Sequence, residues 1–296
     1  MTRHLCYYRA MMTWFEKLPW VGERAPVVAV LRLNGVIGQV GGLRRGLALA
    51  TLDERLESAF KTRRLSAVAL GVNSPGGAPA QSAMIAKRIR DLAAEKDIPV
   101  FTFIEDVGAS GGYWLACAGD EIFAQPSSIV GSIGVVSGGF GFADMIKKLG
   151  IERRLHTSGD KKAMLDPFAP EKAAEVKHLK ALQKEIHDDF ITMVRARRGD
   201  RLATTDKVLF SGAFWTGTKA LELGLIDGLG DLRSVMREKF GKTVKFRNFD
   251  ERRSWWQRRF SLSAPDAGIS ESMSLNLADN LLAAVEERLW WNRFGL

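Results

Sequence analysis

The chain has 296 residues, of which 46% are hydrophobic and 26% charged, values that exclude wholesale disorder and suffice for a sizeable core. Lysine and arginine number 43 against 34 acidic residues, and the net charge of +9 is compatible with an anionic partner without specifying one. Two scattered cysteines, Cys6 and Cys117, exclude a disulfide framework or a zinc site and lean towards a reducing compartment.

In chain order, residues 1–26 place Arg3 and Arg9 ahead of a short apolar stretch, residues 10–14, that runs straight into Glu16 and Lys17. That is too short for a signal core, and no apolar run reaches the roughly 18 to 20 residues of a membrane span, so neither an export signal nor an anchor is expected. Residues 27–31 form a β-branched strand ending in the turn Asn34-Gly35. Residues 47–60 have helical spacing, with Leu49, Leu52, Leu56 and Ala59 on one face. A second strand spans residues 65–72, a helix 80–95, a third strand 99–104, a small-residue helix 110–118 and a short strand 121–124. This alternation predicts an α/β fold with largely parallel pairing.

The longest helix is expected over residues 171–198, with Val176, Leu179, Leu182, Ile186, Phe190 and Met193 as a stripe facing the core or a partner. Beyond about Phe240 the character changes to a basic, aromatic tail that closes in an amphipathic helix over residues 275–294. The expected organisation is an N-terminal extension (1–25), one domain (26–240) and a tail (241–296), with no internal repeat.

Two glycine-rich turns could carry chemistry. Gly108-Ala109-Ser110-Gly111-Gly112 follows a strand and opens a helix, which sets Ser110 among unpaired backbone N–H groups. A serine nucleophile needs such donors for the oxyanion its attack creates, although a helix-capping serine in a flexible turn has the same appearance. Ser74-Pro75-Gly76-Gly77 also follows a strand, and Gly77 is a candidate second donor at the same end of the sheet.

A nucleophilic serine also needs a base. The spacing around Ser110 matches the nucleophile elbow of α/β-hydrolases, but His4, His156, His178 and His187 all lie outside the last hundred residues, where that fold places its histidine. Lysine is the other base. Residues 158–168 present Lys161 and Lys162 before an apolar stretch, which by pattern alone reads as a charged loop. A basic lysine has to lose about three pKa units to burial and nearby positive charge.

Five stretches in order resemble peptidase family S49, the signal peptide peptidase A type. They are residues 72–77, residues 108–113, Val130-Gly131-Ser132-Ile133-Gly134-Val135, residues 158–168, and Phe214 through Asp227. The resemblance implies a ClpP/crotonase-like α/β fold of repeated β-β-α units with long C-terminal helices. It further implies a Ser–Lys dyad with Ser110 as nucleophile and Lys162 as general base, Lys161 being its near alternative. Gly77 and Gly111 match the oxyanion donors, and Ser132 matches a serine that orients the lysine. No metal and no cofactor are implied.

The substrates implied are hydrophobic peptides such as signal-peptide remnants, and the partners are further copies of the chain in a ring, with the lysine acting within a subunit or across a contact. The expected placement is cytoplasmic and peripheral to the inner membrane. Trp255, Trp256 and four flanking arginines (Arg252, Arg253, Arg258, Arg259) suit a lipid interface or packing on a neighbour better than nucleic acid. Two readings stay open beside the peptidase: a non-catalytic peptide-binding scaffold on the same fold, and a serine–histidine esterase.

Overall fold

A computed structural model describes residues 25–38, 46–250, 285 and 288–295. Three long parallel strands form its centre. They are β1 (Val27–Asn34), β2 (Leu65–Ser74) and β3 (Val100–Ala109). β2 lies between the other two and is buried on both faces, which is why its sequence is an apolar run rather than an alternation.

One edge of β3 is shared. Its first half pairs with β4 (Glu121–Ala124) and its second half with β5 (Ile129–Gly131), both parallel. The Ser128 hydroxyl fills the gap between them by donating to carbonyls of Ile104 and Glu105. β5 then carries β6 (Phe214–Thr216) antiparallel, and β4 carries β7 (Gly228–Leu229). At the far edge β1 pairs with β8 (Lys245–Asn248), so the sheet continues past Phe240, where the sequence reading ends the domain. Val244, just before β8, is buried. A four-residue strand with two lysine or arginine side chains has no apolar periodicity to announce it.

The pleat divides the core in two. Ala29, Leu31, Leu33, Val68, Leu70 and Val72 face α1 (Leu49–Phe60), α2 (Pro79–Lys96) and α3 (Gly111–Ala116). The alternate residues Val28, Val30, Ala67, Ala69, Phe101 and Phe103 face Val235 and Met236 of a later helix, residues 232–240. α1 inserts Leu52, Leu56, Ala59 and Phe60, the three- and four-residue spacing of one helix face. α2 starts with Pro79 in its first turn, where a missing N–H costs nothing.

After β5 the chain leaves the core. Residues 136–162 are mostly exposed and include the short α4 (Ala143–Lys148). The chain returns through α5 (Ala173–Arg198), which buries only Phe190, Val194 and Arg198. α6 (Asp206–Leu209), α7 (Gly217–Glu222) and α8 (Leu232–Phe240) complete the described helices of the main body.

The end of α5 is bolted to α3 and to the segment after α7. Phe190 stacks on Trp114 with ring centroids 4.7 Å apart. Arg197 donates to the Cys117 and Gly119 carbonyls at 2.8 Å each. Arg198, 2% exposed, donates to Gly224 O and to both oxygens of Asp227. Tyr113 Oη donates to Leu225 O at 2.7 Å. Burial pushes the Cys117 thiol up to about 12, so it is an inert filler of this seam.

Candidate active site

Ser110 stands where β3 turns into α3. Its backbone is left-handed in φ (53°), it is half-buried, and its amide donates to Gly131 O at 2.8 Å. A non-glycine residue with positive φ is strained and has to be held by its surroundings. That hydrogen bond to β5 and the one from Trp114 N to Ser110 O at 3.1 Å supply the restraint.

Gly77 and Gly111 come together beside it. A Cβ placed on Gly111 would stand 3.4 Å from the Gly77 nitrogen, and one placed on Gly76 would stand 2.8 Å from Ser110 Cβ and 3.0 Å from the Gly111 nitrogen. Neither the Gly77 nor the Gly111 amide donates to a backbone carbonyl among the described residues. Two adjacent amides without acceptors, next to a serine at the C-terminal end of a parallel sheet, can receive a developing oxyanion.

Gly77 has to be glycine. Its φ is 143°, and an added Cβ would lie 2.1 Å from Ile37 O, because residues 37 and 77 form a parallel bridge there. Gly111 is confined less strictly, since the nearest atom to a hypothetical Cβ is a side-chain hydroxyl, Ser82 Oγ, at 2.5 Å.

Ser132 lines the same cavity as Ser110, a space of about 280 Å³. It too is left-handed (φ 52°), is buried, and donates its amide to Ala213 O at 2.7 Å. Two further residues line this cavity: His187 of α5, the histidine that the serine–histidine alternative would pair with Ser110, and Arg293, which sequence reasoning did not place there. The ring of Phe294, next to Arg293, packs edge-to-face on Phe214 of β6 at 5.1 Å. His187 approaches Ile133 O with Nε2 at 3.1 Å. The sequence signal for it was the spacing His187, Phe190, Val194, Arg198, hidden because half of that face is polar.

Lys162 stands elsewhere in the single chain. It and Lys161 are exposed on the loop between α4 and α5, with the Lys162 amide donating to Gly159 O at 3.1 Å, and neither lines the Ser110 cavity. The loop is nonetheless braced. Arg153 Nε donates to Asp166 at 2.7 Å, its guanidinium lies 5.0 Å from the centre of the Phe168 ring, and Glu175 accepts from Leu165 N at 2.8 Å. The hydrogen bond from Arg153 holds the Asp166 carboxyl below its ordinary range, helped by the Phe168 amide, and the Leu165 amide does the same for Glu175.

A larger hollow, about 760 Å³, opens between residues 137–144 and the start of α5, with Phe140, Phe142, Leu165 and Leu179 in its walls and no predicted site residue. His156 and His178 are exposed. His4, Cys6, Trp255, Trp256 and the arginines around them lie outside the described residues.

Comparison with known proteins places this geometry. A protein of Brucella abortus named Na(+)/H(+) antiporter NhaA is 52% identical over 273 residues, matching 91% of this chain, which spans 37% of that protein's length. A protein of Arabidopsis thaliana named Serine protease SPPA, chloroplastic, is 30% identical across 69% of this chain and 31% of its own length. A solved structure titled 1510-N membrane-bound stomatin-specific protease, a mutant in complex with a substrate peptide, superposes with a TM-score of 0.51 at 14% identity, over 80% of this chain and 97% of that one. The fold is the ClpP/crotonase-like α/β arrangement expected from the sequence. The profile of peptidase family S49 matches residues 93–243, half of the chain, across the Ser110 turn, the Ser132 turn and the lysine loop; the chain belongs to that family.

Proposed function

We propose that the chain is a serine endopeptidase that hydrolyses hydrophobic peptides, signal-peptide remnants among them, with Ser110 and Lys162 as a Ser–Lys dyad. The observation that carries this reading is the convergence of Ser110 with the acceptor-free amides of Gly77 and Gly111. In the reaction the unprotonated Lys162 amine takes the proton from Ser110 Oγ as the Oγ–carbon bond forms. The Gly77 and Gly111 amides hold the oxyanion. The carbon–nitrogen bond then breaks, Lys162 returns the proton to the leaving amine, and water releases the acyl group from Ser110 by the same route. Ser132, on the cavity wall, is the group that orients the lysine.

Because Lys162 lies off the Ser110 cavity within one chain, the reading includes a homo-oligomeric ring in which the lysine reaches the serine of a neighbour. The apolar side chains around the lysine loop support it. Val136 is 63% exposed, Phe140 80% and Leu149 65%, a density of bare hydrophobic surface that a partner would cover.

Among the described residues no helix is long and apolar enough to cross a membrane. We place the protein in the cytoplasm, against the inner membrane. Support comes from the Brucella relative, in which a segment like this chain sits inside a protein named for a sodium–proton antiporter. Vesicle co-sedimentation of the full chain and of a chain ending at Asp250 tests the placement, which fails if both stay in the supernatant.

Peptide hydrolysis by Ser110→Ala and Lys162→Ala tests the dyad. Each is expected to lose activity by about 1,000-fold or more while keeping its fold by circular dichroism. Full activity in Lys162→Ala would remove the lysine from the mechanism. Absence of Ser110 labelling by an acylating serine probe would favour the scaffold reading.

A further inference from the structure

We propose that His187 is a positioning residue: it holds the Ser132 turn against the Ser110 cavity by donating its Nε2–H to Ile133 O, and it takes no proton from Ser110. The inference rests on the peptidase reading above and names a residue that the reading does not use.

The turn it holds is costly to build. Gly131 and Ser132 are consecutive residues with positive φ, 111° and 52°. Two hydrogen bonds pin the turn from the sheet side, Ser110 N to Gly131 O at 2.8 Å and Ser132 N to Ala213 O at 2.7 Å. His187 reaches the next carbonyl along, Ile133 O at 3.1 Å, from the helix side. The Ile133 side chain is fully buried, so its peptide has little freedom once the carbonyl is held.

The arm that delivers His187 is rigid. One turn further along α5, Phe190 stacks on Trp114 of α3, the helix that Ser110 caps. Two turns beyond that, buried Arg198 grips Gly224 O and Asp227. His187 thus relates the Ser110 helix to the Ser132 turn through a single element. Without its donor, Ile133 O would be an open acceptor beside the cavity, able to divert the Ser110 hydroxyl or the incoming amine.

The same hydrogen bond fixes the tautomer of His187. A carbonyl oxygen only accepts, so Nε2 carries the proton and the tautomer is assigned by that contact. The remaining lone pair is on Nδ1, which has no partner among the described residues.

The test compares His187→Ala and His187→Gln with the wild type and with Lys162→Ala, by steady-state peptide hydrolysis and by the rate of Ser110 acylation with a fluorophosphonate probe. His187→Ala is expected to lower kcat and the acylation rate about 10- to 100-fold with KM within twofold and the melting temperature within about 2 °C. His187→Gln, whose side-chain amide can donate to the same carbonyl, is expected to recover activity to within about threefold of wild type. Inactivity of His187→Gln at the level of Ser110→Ala would overturn the proposal in favour of proton transfer by the histidine. Full activity in His187→Ala, or a large drop in melting temperature that glutamine does not restore, would overturn it as well. Failure of the dyad reading shows separately, as an active Lys162→Ala.

Discussion

At Gly77 a missing methyl group decides whether two loops can meet. With φ at 143° and Ile37 O at 2.1 Å from any added Cβ, Gly77→Ala has to break the bridge to Ile37 or swing the amide away from Ser110. The expected cost is on the order of 3 kcal/mol in urea denaturation, together with loss of Ser110 labelling. Asp227 offers a second residue-scale test. Burial alone would raise its carboxyl, but the hydrogen bonds from Arg198 and Ile122 N and the charges of Arg198 and Arg201 outweigh it and hold the group below its ordinary range. A carboxylate lowered by folding stabilises above its unfolded value of about 3.9 and stops doing so as pH falls through the folded one. Stability should therefore be level near neutrality and decline below about pH 4. Asp227→Asn strands the guanidinium of Arg198, 2% exposed, and should cost roughly 3 kcal/mol at pH 7 while making the acid decline shallower, as read from urea curves at several pH values.

Among the elements, α8 depends on its cap. Asp231 accepts from the amides of Arg233 and Ser234 at 2.9 and 3.0 Å, and Asp231→Ala should lose about 1 kcal/mol in the same assay. The long central strands and α1 and α2 were legible in the sequence because each has enough apolar residues to show a period. β3 runs five residues beyond its expected end at Ile104, because Glu105 and Asp106 interrupt the apolar run and yet find partners in Arg32 and Asn73. The short strands β5 to β8 were not read because they exist only through their pairing, whereas β4, equally short, shows as the apolar run Ile122-Phe123-Ala124. In α5 the apolar stripe read from Val176 to Met193 describes the first half, which stays half-exposed. The second half buries Phe190 of that stripe and continues inward through Val194 and Arg198, which the apolar pattern misses because an arginine serves there as a core residue. That the Ser110 and Gly77 turns would meet was legible because glycine-rich turns are local, whereas Ser132, which lines the same cavity, was pointed to only by the family resemblance. The exposed position of Lys162, off that cavity, was not legible, because no local pattern records where a loop will stand relative to distant turns.

Across the whole molecule, a lysine acting within its own chain and one acting across a contact give mixed assemblies different activities. If Lys162 serves a neighbouring copy, mixing equal amounts of Ser110→Ala and Lys162→Ala should restore about a quarter of wild-type hydrolysis, since half of the sites keep the serine and half of those face an intact lysine. If it serves its own chain, the mixture stays inactive. Phe140→Asp with Leu149→Asp, both on exposed apolar positions, should lower the sedimentation coefficient to that of a single chain and reduce hydrolysis in step.

The ten-residue strand that ends at the Ser110 turn also carries two neighbours on one edge, β4 along its beginning and β5 along its finish. Sliding or tilting it to suit a different substrate would unseat the phenylalanines and valines beneath it. Selection for new preferences therefore has little room at the hydroxyl and ample room at the rim, where residues 136–158 touch little of the interior. Directed evolution of this scaffold is best confined to that rim.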